Sequence, residues 1–239
     1  MIFYFITGTS KGLGKALAEL LLQDKNNFVY GISRNNTISH KNYVHYSIDL
    51  ANLGKVKNFQ FPEIEKATKI ILINNAGIVG DIKHIGNLDN EKIISTFSIN
   101  LISPTILTNL FIRSFNKSIP KQIINISSGA GRSAIDGWSI YCASKAGLDM
   151  FSLVLQEESN VKNLNIKTIS MAPGIIDTTM QDEIRKADQA NFSNIEQFIE
   201  YKNKGNLAQP NDTAKQILKF ILNDNLMEKT ICSVRDLVN

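Results

Sequence analysis

Short runs of β-branched and aromatic residues recur along the chain with helical segments between them, and this alternation limits the fold more than any other feature. The runs lie at residues 2–6, 28–32, 43–48, 70–73, 123–126, 166–170 and 231–234, which predicts about seven strands. Between them Leu13, Leu17, Leu20 and Leu21 keep one helical face, as do Leu148, Phe151 and Leu155, and Ala214, Ile217, Leu218 and Ile221. An α/β fold follows, with a mostly parallel sheet covered by helices on both faces. At 239 residues and 43% apolar, the chain is sized for a single domain over 1–239. Only about 14 residues separate Arg34 from Asp49, so the second crossover holds a shortened helix at best and leaves the sheet open there. One polar insertion runs over about 177–209. Its apolar residues Met180, Ile184, Phe192, Ile195, Phe198 and Ile199 are spaced as in two short helices, which suits a substrate lid over a pocket.

Charge and cysteine content narrow the function classes. The net charge of +4 comes from 26 basic against 22 acidic residues scattered along the chain, without the basic runs of a nucleic-acid surface. Cys142 and Cys232 form neither a disulfide framework nor a zinc spacing, so no metal is expected and a reducing compartment is. The apolar start at 2–6 is stopped by Thr7-Gly8 and is too short to span a bilayer. The expectation is a cytoplasmic protein acting on a small molecule, with neither nucleic acid nor membrane as partner.

The first run leads directly into Thr7-Gly8-Thr9-Ser10-Lys11-Gly12-Leu13-Gly14 and then a helix. Glycines at a strand-to-helix turn permit close backbone approach, and the free amides and positive dipole end of the helix hold an anion, here a pyrophosphate. A tight turn with nothing bound is the plainer alternative. A nucleotide-triphosphate loop would need Gly-Lys-Ser/Thr, whereas Lys15 precedes Ala16. NAD sites of this architecture place a carboxylate about 20 residues further on to accept the ribose hydroxyls. Ser33-Arg34 occupies that place, and a guanidinium forks onto a phosphate, with Lys11 adding a second charge. NADP(H) is therefore favoured over NAD.

Tyr141 and Lys145 stand one helical turn apart on one face, and Ser128 lies 13 residues before the tyrosine, just after a strand. A free phenol has a pKa near 10; a lysine at i+4 beside a bound, positively charged nicotinamide can lower it by about three units, about 4 kcal/mol. That makes Tyr141 a usable proton donor. Ser128 would hold a substrate carbonyl oxygen beside it, so developing negative charge meets two donors. Each pair alone is weak; together with the glycine turn, in this chain order, they form a set.

Taken together, Thr7-Gly8 with Gly12 and Gly14, Asn74-Asn75-Ala76-Gly77, Asn100, Ser128, Tyr141 with Lys145, and Pro173-Gly174 with Thr178 resemble the short-chain dehydrogenase/reductase family over essentially the whole chain. The resemblance implies a Rossmann-like doubly wound sheet in which Asp49, Leu50, Asn75, Ala76 and Gly77 line the adenine side. It also implies that Asn100 holds a water passing protons to Lys145, that Lys145 binds the nicotinamide ribose, and that Ile176 and Thr178 meet the carboxamide. Homodimers or higher homo-oligomers pairing through the helices of Asn100 and Tyr141 are implied too. More narrowly, residues 127–131, Gly137-Trp138, Tyr141-Cys142 and residues 172–181 are similar to bacterial reductases described as sepiapterin or benzil reductases. Animal sepiapterin reductases hold the pterin with a carboxylate in the last strand; Ser233 stands at that position here, with Asp236 three residues later. An aromatic diketone such as benzil is thereby favoured over a pterin. Trp138, Met180, Ile78 and Val79 are candidates for an apolar substrate wall, or are ordinary core.

The leading expectation is an NADPH-dependent carbonyl reductase with Asn100, Ser128, Tyr141 and Lys145 as its working set. A non-catalytic NADP-binding redox sensor, and a dehydrogenase of sugars or carrier-bound acyl chains, are the competing classes. Retention of the whole set argues against the sensor.

Overall fold

The computed structural model describes residues 1–223 and 229–237. The alternation resolves into β1 (Ile2–Thr7), β2 (Asn27–Ser33), β3 (Tyr43–Ser47), β4 (Lys69–Asn74), β5 (Lys121–Ile126), β6 (Ile166–Ala172) and β7 (Ile231–Ser233). They form one parallel sheet in the order β3-β2-β1-β4-β5-β6-β7. The helices are α1 (Gly12–Leu21), α2 (Leu53–Lys57), α3 (Asn90–Phe97), α4 (Ser103–Ser114), α5 (Ser139–Lys162), α6 (Thr179–Ile184), α7 (Ile195–Asn203) and α8 (Pro210–Ile221). Strand order reverses between β1 and β4, and their carboxyl ends open a crevice at that switch point.

Side-chain alternation along the strands builds two core layers. Tyr4 and Ile6 of β1 face one layer, with Leu17 and Leu21 of α1 and Ile217 and Ile221 of α8. Phe3 and Phe5 face the other, with Leu107 and Phe111 of α4 and Leu155 of α5. Because both faces are covered, the strand reads as an uninterrupted apolar run rather than an alternating one. The Phe5 ring stacks on Tyr30 at 4.6 Å and meets Phe61 edge-on at 4.8 Å, pairs worth about 0.5–1.5 kcal/mol each beyond their burial.

The second crossover carries no helix at all. Nine residues, 34–42, join β2 to β3, fewer than a crossover helix needs. Ile38 instead drops into the α1 side of the core. Thr37 Oγ1 donates to the Ser10 carbonyl at 3.0 Å, tying the link to the glycine turn.

The helical run Asn90–Ser114, 25 residues in all, is long and apolar enough to cross a bilayer by length and composition. In this fold its Leu107 and Phe111 pack into the second core layer. Residues 98–102 of this run form a π-turn between α3 and α4, a local widening that often marks a functional position.

Within 177–209 the two expected short helices are α6 and α7. Phe192, in the turn between them, is fully buried, and Ile195 and Phe198 point inward with it. Ile199 departs from the expected pattern at 40% exposed, because α7 turns Ile195, Phe198 and Tyr201, spaced by three, toward the core. The segment is pinned by Asp136, whose carboxylate accepts the Ser193 amide at 2.9 Å and hydroxyl at 2.8 Å. Lys202 reaches Asp177 at 2.6 Å.

Candidate active site

A cavity of about 960 Å³ runs along the carboxyl edge of the sheet. One end is made by the glycine turn. Gly8 has φ +77°, a conformation that favours glycine, and its amide donates to the Ile32 carbonyl at 2.8 Å. Ser10, Lys11, Gly12 and Leu13 line the cavity beside it. Gly14 does not line it. A side chain there would collide with the Gly8 carbonyl and the Asn75 amide, so Gly14 lets α1 close onto the turn. Lys11 caps α1 with its backbone extended and makes no side-chain cap, and no acidic residue lies in the first turn. By contrast α2 and α3 are capped by Asn52 and Asp89. The first amides of α1 thus keep their capacity to bind an anion.

Thr7 Oγ1 accepts the amides of Asn75 at 2.9 Å and Ala76 at 3.0 Å, and Asn75 Nδ2 donates back to the Thr7 carbonyl at 2.9 Å. These bonds fix residues 75–77 at the switch point, where Asn75, Ala76 and Gly77 join Asp49 and Leu50 in the cavity wall. Ser33 and Arg34 line the same end, with Arg34 exposed. Ser33 Oγ donates to the Asn35 carbonyl at 2.9 Å. His45 Nε2 lies 3.0 Å from the same oxygen. Thr9 bridges Ser33 at 3.3 Å and the Tyr43 hydroxyl at 2.9 Å.

At the other end, Ser128, Trp138, Tyr141, Lys145 and Met180 line the cavity, with Pro173, Gly174, Ile176 and Thr178 between the two ends. Tyr141 is 7% exposed and meets Trp138 edge-on at 5.4 Å. Lys145 Nζ lies 5.9 Å from the centre of the Tyr141 ring and donates to the Ile126 carbonyl at 2.8 Å. Ser128 Oγ accepts the Ala130 amide at 3.2 Å, at the head of the turn Gly129–Gly131. Asn100 stands behind the wall, in the π-turn and wholly buried. Its Oδ1 accepts the Ile78 amide at 2.9 Å, while Nδ2 donates to the Ile78 carbonyl at 2.8 Å and to Ser144 Oγ at 3.1 Å. A methyl built on Gly77 would lie 3.4 Å from both Asn100 Oδ1 and Lys145 Nζ, which puts both groups beside that glycine.

A family model described as short chain dehydrogenase matches residues 3–189. The chain belongs to the short-chain dehydrogenase family. It is 38% identical over 229 residues to benzil reductase ((S)-benzoin forming) of Bacillus subtilis (strain 168), a match covering 92% of this chain and 93% of that protein. It is 28% identical over 244 residues to sepiapterin reductase of Rattus norvegicus, covering 92% and 90%. A solved short chain dehydrogenase/reductase from Saccharomyces cerevisiae shares the fold at a TM-score of 0.84 and 23% identity, over 98% of this chain and 96% of that one.

In this short-chain dehydrogenase, burial pushes the Tyr141 phenol above its ordinary value near 10, and a hydrogen bond with Ser128 pulls it back only in part. Burial also lowers Lys145 to about 8, opposed by the charge of Asp149. The acidified phenol expected from the sequence depends on a positive nicotinamide beside these two groups.

The sequence named 177–209 as a lid, Trp138, Val79 and Ile78 as wall candidates and Ser233 in the last strand; Arg235 it did not mark. Trp138 stacks on Phe192 at 5.3 Å and packs on Phe198 at 5.4 Å, so 177–209 supplies an aromatic back wall, joined by Val79. Ile78 lines the cavity itself. Beside β7, Ser233 and Arg235 line the cavity, while Asp236 turns to accept the Ser233 amide at 2.9 Å. What the sequence left open was that the lid and the wall meet, and nothing local marked Arg235.

Proposed function

We propose that this oxidoreductase reduces the carbonyl of a hydrophobic ketone or aromatic diketone such as benzil, with hydride from NADPH and the proton from Tyr141. One observation carries the reading: the phenol is buried among Ser128 and an aromatic wall of Trp138 and Phe198, backed by Phe192, on the same cavity as the glycine turn. The likeness to benzil reductases supports the diketone, and Ser233 in place of a carboxylate in the last strand weighs against a pterin.

The residues present fit a dinucleotide. The uncapped amides of α1 suit a pyrophosphate, Lys11 and Arg34 suit a 2′-phosphate, and Asp49 to Leu50 and Asn75 to Gly77 suit the adenosine. Lys145 is suited to the nicotinamide ribose, and Ile176 and Thr178 to the carboxamide. When bound, the dinucleotide supplies the hydride and, once oxidised, a positive ring near Tyr141. Within the chain, Ser128 and Tyr141 hold the ketone oxygen, and the phenol gives it a proton as negative charge develops. Lys145 stays charged beside the phenol and favours its anionic form, with Asn100 beside the same glycine, Gly77, as Lys145.

Residues 177–209 act as the lid that carries the aromatic wall. Exposed Ile94, Ile102, Met150, Leu153 and Val154 on the helices around Asn100 and Tyr141 support homodimer pairing; sedimentation as a monomer at all concentrations would count against it. Both cysteines are free, in keeping with a cytoplasmic setting.

Mixing the purified protein with NADPH and benzil and following loss of reduced-nicotinamide absorbance tests the reading. Turnover of benzil is expected. Absence of turnover across a panel of ketones, diketones and sepiapterin contradicts it.

A further inference from the structure

Asp149 follows Lys145 by one turn on the inward side of α5 and is itself only 7% exposed. A carboxylate so placed needs hydrogen-bonding partners, and it has two. Its Oδ1 accepts from Ser170 Oγ of β6 at 2.6 Å, and its Oδ2 accepts from Arg132 Nε at 2.9 Å. Arg132 reaches on to the Cys232 carbonyl of β7 at 3.3 Å.

Arg132 is the residue that ends the turn Gly129–Gly131, whose head is Ser128. That turn lies directly on α5. A Cβ built on Gly131 would sit 2.8 Å from the Lys145 carbonyl carbon and 3.0 Å from the Ala146 nitrogen. The Arg132–Asp149 ion pair therefore braces the Ser128 turn against the stretch of helix that carries Tyr141 and Lys145, and it places a negative charge near the buried ammonium.

We propose that Asp149, braced by Arg132, is a positioning residue for the reaction: it fixes the Ser128 turn against the stretch of α5 that carries Tyr141 and sets its carboxylate one helical turn from Lys145. The inference rests on the proposed roles of Tyr141 and Lys145. Titratable or charged groups facing this cluster are Arg132 from the turn, Tyr141 and Lys145 from α5, Cys232 from β7 and Asp236 just after it. β6 offers Ser170, and the π-turn offers Asn100; both are uncharged.

The sign follows from Coulomb attraction. A negative charge beside an ammonium favours the protonated form, so Asp149→Asn lowers the pH at which Lys145 loses its proton. Arg132→Gln tests the brace instead, since it frees the Ser128 turn from α5. A Lys145 midpoint that follows the Asp149 charge is what a merely structural brace would not give.

The test is an NMR titration of Lys145 in lysine-labelled full-length protein, with the signal assigned by its loss in Lys145→Met. The midpoint is expected near 8 in the native chain and about one pH unit lower in Asp149→Asn. The alkaline fall in NADPH-dependent benzil turnover should move the same way. An unmoved Lys145 midpoint in Asp149→Asn overturns the inference. Where Asp149→Asn does not fold, Arg132→Gln decides: a lowered kcat for benzil at unchanged Kd for NADPH supports the inference, and a native kcat overturns it. Full turnover by Tyr141→Phe would instead overturn the proton donor, a separate failure read on a separate variant.

Discussion

The two ends of the cavity are built by different means. The glycine-turn end is mostly backbone: amides of α1, a left-handed Gly8, and residues 75–77 locked onto Thr7 by three hydrogen bonds. The Tyr141 end is mostly side chain, with Trp138, Phe192, Phe198 and Met180 converging from segments far apart in sequence. A backbone site is bound to a short contiguous motif and tolerates change only within it. A side-chain wall can be repacked while the first end stays intact, so cofactor use and substrate choice should be separable by mutation.

Phe192→Ala is the strongest test of that separation at the side-chain end. Removing a fully buried ring costs about 3–5 kcal/mol, which in a chain of this length lowers Tm by about 6–20 °C. KM for benzil should rise while NADPH affinity stays within about twofold. Calorimetry and a fluorescence titration of NADPH check both, and equal loss of the two affinities would erase the distinction between the ends.

A smaller effect is expected at the backbone end, where Arg34 contributes a side chain to an otherwise amide-built site. Arg34→Asp should cut the preference for NADPH over NADH by at least about tenfold, about 1.4 kcal/mol, without changing KM for benzil. The ratio of the two cofactor Kd values measures it, and an unchanged ratio assigns the phosphate to another group.

The smallest effect is expected for Lys202→Ala. The Lys202–Asp177 pair is 48% and 25% exposed, and such pairs contribute below about 1 kcal/mol. A change under about fivefold in KM, disappearing at high salt, is the expected outcome of steady-state kinetics; a larger, salt-insensitive change would make this pair part of the substrate wall.

The same contrast explains what could be read from the sequence. The seven strands, the glycine turn and the set of Ser128, Tyr141 and Lys145 were legible because each is written locally: continuous β-branched and aromatic runs, strand-to-helix glycines, or i to i+4. The missing crossover helix was half legible, since the short distance from Arg34 to Asp49 limited it, but Ile38 as its replacement depends on the core it plugs. Arg235, the chain Tyr43–Thr9–Ser33–His45 and the Arg132–Asp149 brace were not legible. Their partners are brought together by strand pairing, and nothing in the spacing of Arg132 and Asp149 distinguishes them from surface charges.

The central claim is that the buried Tyr141 phenol donates the proton. Turnover and NADPH binding measured side by side on Tyr141→Phe test it most directly. The account predicts a fall of about 10³-fold in kcat with an unchanged Kd for NADPH, since a positioned general acid contributes about 10²–10⁴-fold. Native turnover in that variant would contradict it.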